Sequence, residues 1–143
     1  MKLAIVEDEV ILAMALTLML EDWGHQVVGT ADTEAGALAL IEAERPDAVL
    51  MDIRLGRKDS GLRAARLIRE NGDIPIVFCT AYADNAQVQT DIRGIGNSHL
   101  VGKPVDEERL EWLLRGIDER CRKVAAPSPM ASRSALLPTS NDL

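Results

Sequence analysis

Aromatic side chains are scarce: two Trp, one Tyr and one Phe in 143 residues, or 3% of the chain. A core built from this sequence must be aliphatic, and a 47% hydrophobic share supplies enough for one domain of ordinary size. Basic charge is also short, with 16 Lys and Arg against 23 Asp and Glu and a net charge of −7. Phosphate contacts supply most of the affinity for nucleic acid, so DNA and RNA are not expected as direct partners. Cysteine is limited to Cys79 and Cys121, which match no metal-ligand spacing and suit small buried thiols in a reducing compartment. Long apolar runs are missing too. Residues 10–20 are apolar except Thr17, far short of the roughly 20 that span a bilayer. No basic segment precedes an apolar stretch at the N-terminus in the manner of a secretory signal. A cytoplasmic protein without membrane insertion is expected.

What is present is a regular alternation of short apolar runs and longer helical patterns. The runs cover residues 3–6, 25–29, 48–51, 74–79 and 99–102. The first helix spans 10–23 and stops at Gly24. Thr33 caps a second, which Pro46 breaks, and Ser60 opens a third that closes at Asn71-Gly72. A weaker helix covers 84–93, and Asp106 caps the last, which reaches about residue 123. Such alternation implies a parallel sheet with helices on both faces. The expected fold is flavodoxin-like: a doubly wound α/β domain over residues 1–123, five parallel strands in the order 2-1-3-4-5, and five helices. Residues 124–143, rich in Ala, Ser and Pro, are expected to form a disordered tail.

Polar residues stand where these runs end. Glu7 and Asp8 follow the first, Asp52 the third, Thr80 the fourth, and Lys103 the fifth, with Pro104 next. In a parallel sheet those ends share one edge, and doubly wound folds bind ligands there. Three crowded carboxylates repel one another, which a divalent cation relieves. Mg²⁺ suits them, with Asp8 and Asp52 as direct ligands and Glu7 acting through water. An aspartate in such a site can attack phosphorus. Lys103 would spread charge on the transferring group, at roughly 4 kcal/mol for a 4 Å pairing before desolvation. Thr80 would donate a hydrogen bond, and a cis Pro104 would turn the lysine inward.

These pieces resemble the receiver domain of two-component response regulators, of the stand-alone, single-domain type. The matching segments are Val6-Glu7-Asp8-Glu9, Met51-Asp52-Ile53-Arg54-Leu55, Thr80-Ala81 and Lys103-Pro104. The resemblance implies that Asp52 accepts a phosphoryl group from a histidine kinase or a histidine phosphotransfer protein. It implies that Glu7, Asp8, Asp52 and the Arg54 backbone carbonyl hold Mg²⁺, and that Thr80 and Lys103 sense the phosphate. The chain would catalyse only its own phosphorylation and dephosphorylation.

Three features depart from the family pattern. Residues 56–61 make a loop about one residue longer than usual, expected to be mobile. Leu100 stands where an aromatic switch is customary. Tyr82, two residues beyond Thr80, is a candidate to carry the signal with the helix after it.

No segment is long enough for an attached effector, so output is expected through contacts with a downstream protein, with a homodimer as one form. Residues 10–16 leave almost no polar face, which marks Leu12 and Leu16 as docking candidates for the phosphodonor. Trp112 lies off the last helix's stripe of Leu110, Leu113, Leu114, Ile117 and Cys121 and is a second interface candidate. Two rival readings remain. A Mg²⁺-dependent phosphohydrolase could use Asp52 as nucleophile, although Arg54 stands where its second acid belongs. A phosphate sink or degenerate receiver would act by binding alone.

Overall fold

Alternate residues of each apolar run face opposite sides of one sheet, and both sides are covered. The computed structural model describes residues 1–125. Its elements are β1 (Lys2–Val6), α1 (Val10–Asp22), β2 (Gln26–Ala31), α2 (Glu34–Glu44), β3 (Ala48–Met51), β4 (Arg54–Leu55), β5 (Asp59–Ser60), α3 (Gly61–Glu70), β6 (Ile76–Thr80), α4 (Ala86–Ile95), β7 (Ser98–Gly102) and α5 (Glu107–Ala125). The main sheet is parallel with order β2-β1-β3-β6-β7, which is the expected 2-1-3-4-5 among its five strands.

Leu3, Ile5, Leu50, Val77 and Cys79 pack against Ala13, Leu16 and Leu20 of α1 and Leu110, Leu114 and Ile117 of α5. Ala4, Val6, Val49, Met51 and Phe78 pack on the other side, against Ala37 of α2, Ala64, Ala65 and Ile68 of α3, and Ile92 and Ile95 of α4. This two-sided burial explains why the central strands are apolar throughout. The outer strand β2 is only partly covered.

Local chemistry sets the helix ends. Thr33 Oγ1 accepts from the Gly36 N–H at 2.9 Å, and Asn85 Oδ1 accepts from Val88 at 3.0 Å. Asp106 Oδ1 accepts from Arg109 N–H at 3.2 Å, as its capping role requires. Gly24, at φ 92°, follows α1 in a conformation that favours glycine. The weaker fourth helix lies two residues later than expected, because Asn85 is its cap. The last helix runs to Ala125, so the expected tail begins later; from residue 126 on it lies outside the described residues.

The segment expected to be a longer loop is organised as an antiparallel hairpin, β4 with β5, with residues 56–58 as its turn. It is pinned by Glu34 of α2 and Arg63 of α3. Asp59 Oδ2 accepts from the Glu34 N–H at 2.9 Å, and Glu34 Oε1 accepts from the Ser60 N–H at 2.9 Å and from Arg63 Nε at 2.6 Å. Arg63 also donates to the Lys58 carbonyl. Two-residue strands carry no periodicity, so no sequence pattern marks them.

The hairpin hands the chain to α3 at Gly61, against the Asp52 backbone. A Cβ there would fall 1.9 Å from the Asp52 carbonyl oxygen, and that oxygen belongs to the backbone. Gly61→Ala is expected to cost about 3 kcal/mol or more in denaturant unfolding, whereas Gly72→Ala, with nothing within 4 Å, stays within about 0.5 kcal/mol.

Candidate functional site

The carboxyl ends of β1, β3, β6 and β7 meet at one edge, and the expected residues meet with them. Glu7 continues β1, and its N–H bonds to the Ala31 carbonyl of β2 at 2.9 Å. Asp52 continues β3, its N–H bonded to the Val6 carbonyl at 2.9 Å. Thr80 ends β6 with 1% exposure. Lys103 follows β7, anchored by its N–H to the Thr80 carbonyl at 2.8 Å, and its bond to Pro104 is cis as expected.

Lys103 reaches across the end of β6 to the acids. Its Nζ donates to Glu7 Oε2 at 2.9 Å and to Asp52 Oδ2 at 3.1 Å. The Glu7 side chain is 2% exposed, that of Asp52 11% and that of Lys103 18%. Burial lowers the lysine's affinity for its proton, but the two carboxylate bonds outweigh this and hold its pKa above the ordinary value. Glu7 is pushed the other way. Burial lifts its pKa to about 7, opposed by the Lys103 bond and reinforced by the Asp52 charge. Burial likewise pushes the neighbouring Cys79 thiol up to about 12, so it stays protonated.

One carboxylate oxygen each from Glu7, Asp8 and Asp52 lies within 4.8 Å of the others. Three carboxylates against one ammonium leave negative charge uncompensated. An all-oxygen donor set of this kind fits a hard divalent cation. Asp8 Oδ2 also accepts from the Gly56 N–H at 3.0 Å, which ties the acid cluster to the hairpin tip. Gly56, at φ 71°, was the available sequence signal for that turn.

Other predicted residues fall in several places. The Tyr82 N–H donates to Thr80 Oγ1 at 3.1 Å, and the Arg54 guanidinium lies over the Tyr82 ring at 4.6 Å. Arg54 was expected to contribute only its backbone carbonyl; its side-chain partner lies in the turn after β6 and has no local signature. Leu100, opposite Phe78 in the ladder, is half-buried against the α2–α4 side of the core. Trp112 is 70% exposed and off the buried stripe. Leu16 corrects an expectation: it is 4% exposed and packs in the core, so a charge placed there would test stability rather than docking. Leu12 is half-buried and lines a groove of about 280 Å³ with Lys103, Pro104 and Val105. The exposed large apolar residues of α1 are Val10, Ile11, Met14 and Leu18. Among the described residues, no helix is long and apolar enough to cross a membrane.

A doubly wound sheet with an acid cluster and a lysine at its carboxyl edge defines a receiver-type α/β module. The chain belongs to the response regulator receiver domain family, whose sequence model matches residues 3–115. The phyllosphere-induced regulator PhyR of Methylorubrum extorquens is 37% identical over 84 residues, covering 58% of this chain and 32% of that protein. The transcriptional regulatory protein PdtaR of Mycobacterium tuberculosis is 36% identical over 125 residues, covering 87% of this chain and 60% of that protein. The crystal structure of the response regulator PhyR from Brucella abortus aligns with a TM-score of 0.74 and 37% identity, over 87% of this chain and 51% of that one. The chain spans between 32% and 63% of the length of the first curated relatives it matches.

The raised Glu7 pKa has a stability consequence. In the metal-free fold Glu7 keeps its proton up to about pH 7, while the unfolded chain releases it near the ordinary 4.5. The folded state binds the extra proton across that window, so stability falls as pH rises from about 4.5 to about 7, by up to about 3 kcal/mol. Unfolding followed with chelator present should show this slope in the parent protein and lose it in Glu7→Gln; identical profiles would contradict it.

Proposed function

We propose that the chain is a two-component phosphoacceptor in which Asp52 takes a phosphoryl group from a histidine kinase or a histidine phosphotransfer protein. One observation carries the reading: the Lys103 ammonium rests on both Glu7 and the receiving carboxylate, at 2.9 and 3.1 Å. A cation is already in place where charge develops on a phosphoryl group. Glu7, Asp8, Asp52 and the Arg54 carbonyl are the residues that would hold Mg²⁺. When bound, that ion would neutralise the carboxylates and the transferring group.

The chain's own residues then perform the transfer. The Asp52 oxygen not bonded to Lys103, Oδ1, which accepts only a 3.4 Å bond from the Arg54 N–H, attacks the phosphorus of a phosphohistidine. The new O–P bond forms as the P–N bond breaks, and the imidazole leaves with the electron pair and takes up a proton. Lys103 shifts its hydrogen bond from the carboxylate to a phosphoryl oxygen. Thr80, whose Oγ1 already accepts from Tyr82, still has its own hydroxyl proton to donate. Hydrolysis of this acyl phosphate returns the resting state, and no turnover of separate substrates is proposed. The rival phosphohydrolase would need an acid at position 54, where a guanidinium lies over Tyr82 instead.

The phosphodonor is proposed to dock on α1 beside the pocket. Val10, Ile11, Met14 and Leu18 are all more than 60% exposed there, and the helix carries no basic residue. Output is proposed to pass to a further protein, with Trp112 of α5 as one available contact.

Incubation with acetyl phosphate and Mg²⁺, followed by intact-mass measurement, is expected to add one phosphoryl group to the parent protein and none to Asp52→Asn. Unchanged mass in the parent, or equal labelling of Asp52→Asn, overturns the proposal.

A further inference from the structure

Two groups at the pocket rim depend on one residue. Tyr82, the single tyrosine of the chain, holds the Thr80 hydroxyl oxygen through its backbone N–H and the Arg54 guanidinium through its ring. Arg54 is exposed, and Tyr82 is 41% exposed. The ion pairs of the described residues do not include Arg54. The guanidinium therefore rests on an aromatic face alone, two residues beyond Asp52, while Lys103 is committed to two carboxylates.

An exposed cation over an aromatic ring is held weakly, by the ring quadrupole. A phosphoryl group offers the same planar guanidinium two parallel charge-assisted hydrogen bonds. Where both are within reach, the phosphoryl group wins.

We propose that Arg54 is a phosphoryl-binding residue held in reserve on Tyr82, and that its guanidinium leaves the ring for the phosphoryl oxygens once Asp52 is loaded. This rests on the reading of Asp52 as the phosphoacceptor. Two consequences follow. The ring and the phosphoryl group compete for one cation, so each weakens the other's hold on it. Departure of Arg54 also uncovers Tyr82, which leads through residues 83–85 into α4. Loading would thus reach the surface without an aromatic at position 100.

The competition predicts substitutions of opposite sign. Beryllofluoride with Mg²⁺, a phosphoryl mimic, is titrated into the full chain by NMR. The amides of Ile53 and Thr80 report loading, and the labelled Tyr82 ring reports release. In the parent protein, loading is expected to shift the ring signals. Arg54→Ala should bind the mimic about tenfold more weakly. Tyr82→Leu should bind it about two- to fivefold more tightly, because the ring no longer competes. In the Arg54→Ala background, Tyr82→Leu should change nothing. Both sites are exposed, and amide spectra confirm that each variant folds. Weaker binding in Tyr82→Leu, equal tightening without Arg54, or loading with an unmoved ring overturns the Arg54 proposal and leaves Asp52 as acceptor. No shift at Ile53 and Thr80 in the parent protein overturns both.

Discussion

Lys103 spans the pocket, and the arrangement of the whole sheet is what lets it do so. The lysine leaves β7 and reaches Asp52 on β3, two strands away, across the end of β6. Two interstrand spacings amount to roughly 10 Å, which the lysine stem, its hydrogen bond and the Asp52 side chain span together. Thr80 lies beneath that path, and its carbonyl holds the lysine backbone in place. Glu7 on β1 completes the bridge from the far side of β3. A different strand order would leave these residues at one edge but out of reach of one another.

That bridge also determines what the pocket lacks. One ammonium shared by two carboxylates leaves Asp8 to the hairpin tip and leaves Glu7 reluctant to ionise. The site therefore has a standing demand for positive charge, which a divalent cation would meet at rest and which a phosphoryl group would raise further. Arg54, two residues beyond Asp52, is a cation held by a ring alone among the described residues. Its position on Tyr82 joins the pocket to the segment before α4, on the side where Leu100 gives no aromatic path.

Much of this was legible in the sequence. Each strand-end residue follows a short apolar run, and runs of that kind buried on both faces permit little but a parallel sheet, so Glu7, Asp8, Asp52, Thr80 and Lys103 could be gathered without coordinates. Thr33, Ser60 and Asp106 announced their helices by capping chemistry. The orientation of α1 was not legible. Its residues are apolar on every side, so no periodicity separates buried Leu16 from exposed Met14. The β4–β5 hairpin was missed because its strands are two residues long and its anchors, Glu34 and Arg63, lie on other elements. The Arg54–Tyr82 pair joins β4 to the turn after β6, and neither side chain signals the other.

Among three neighbouring carboxylates, Asp52 is proposed to be the one that becomes phosphorylated. Borohydride reduces an aspartyl phosphate to homoserine, which is stable to peptide mapping. After phosphorylation by acetyl phosphate with Mg²⁺, homoserine is expected at position 52 alone. Reduction at Asp8, a reduced product at Glu7, or no reduced residue in the pocket would contradict it.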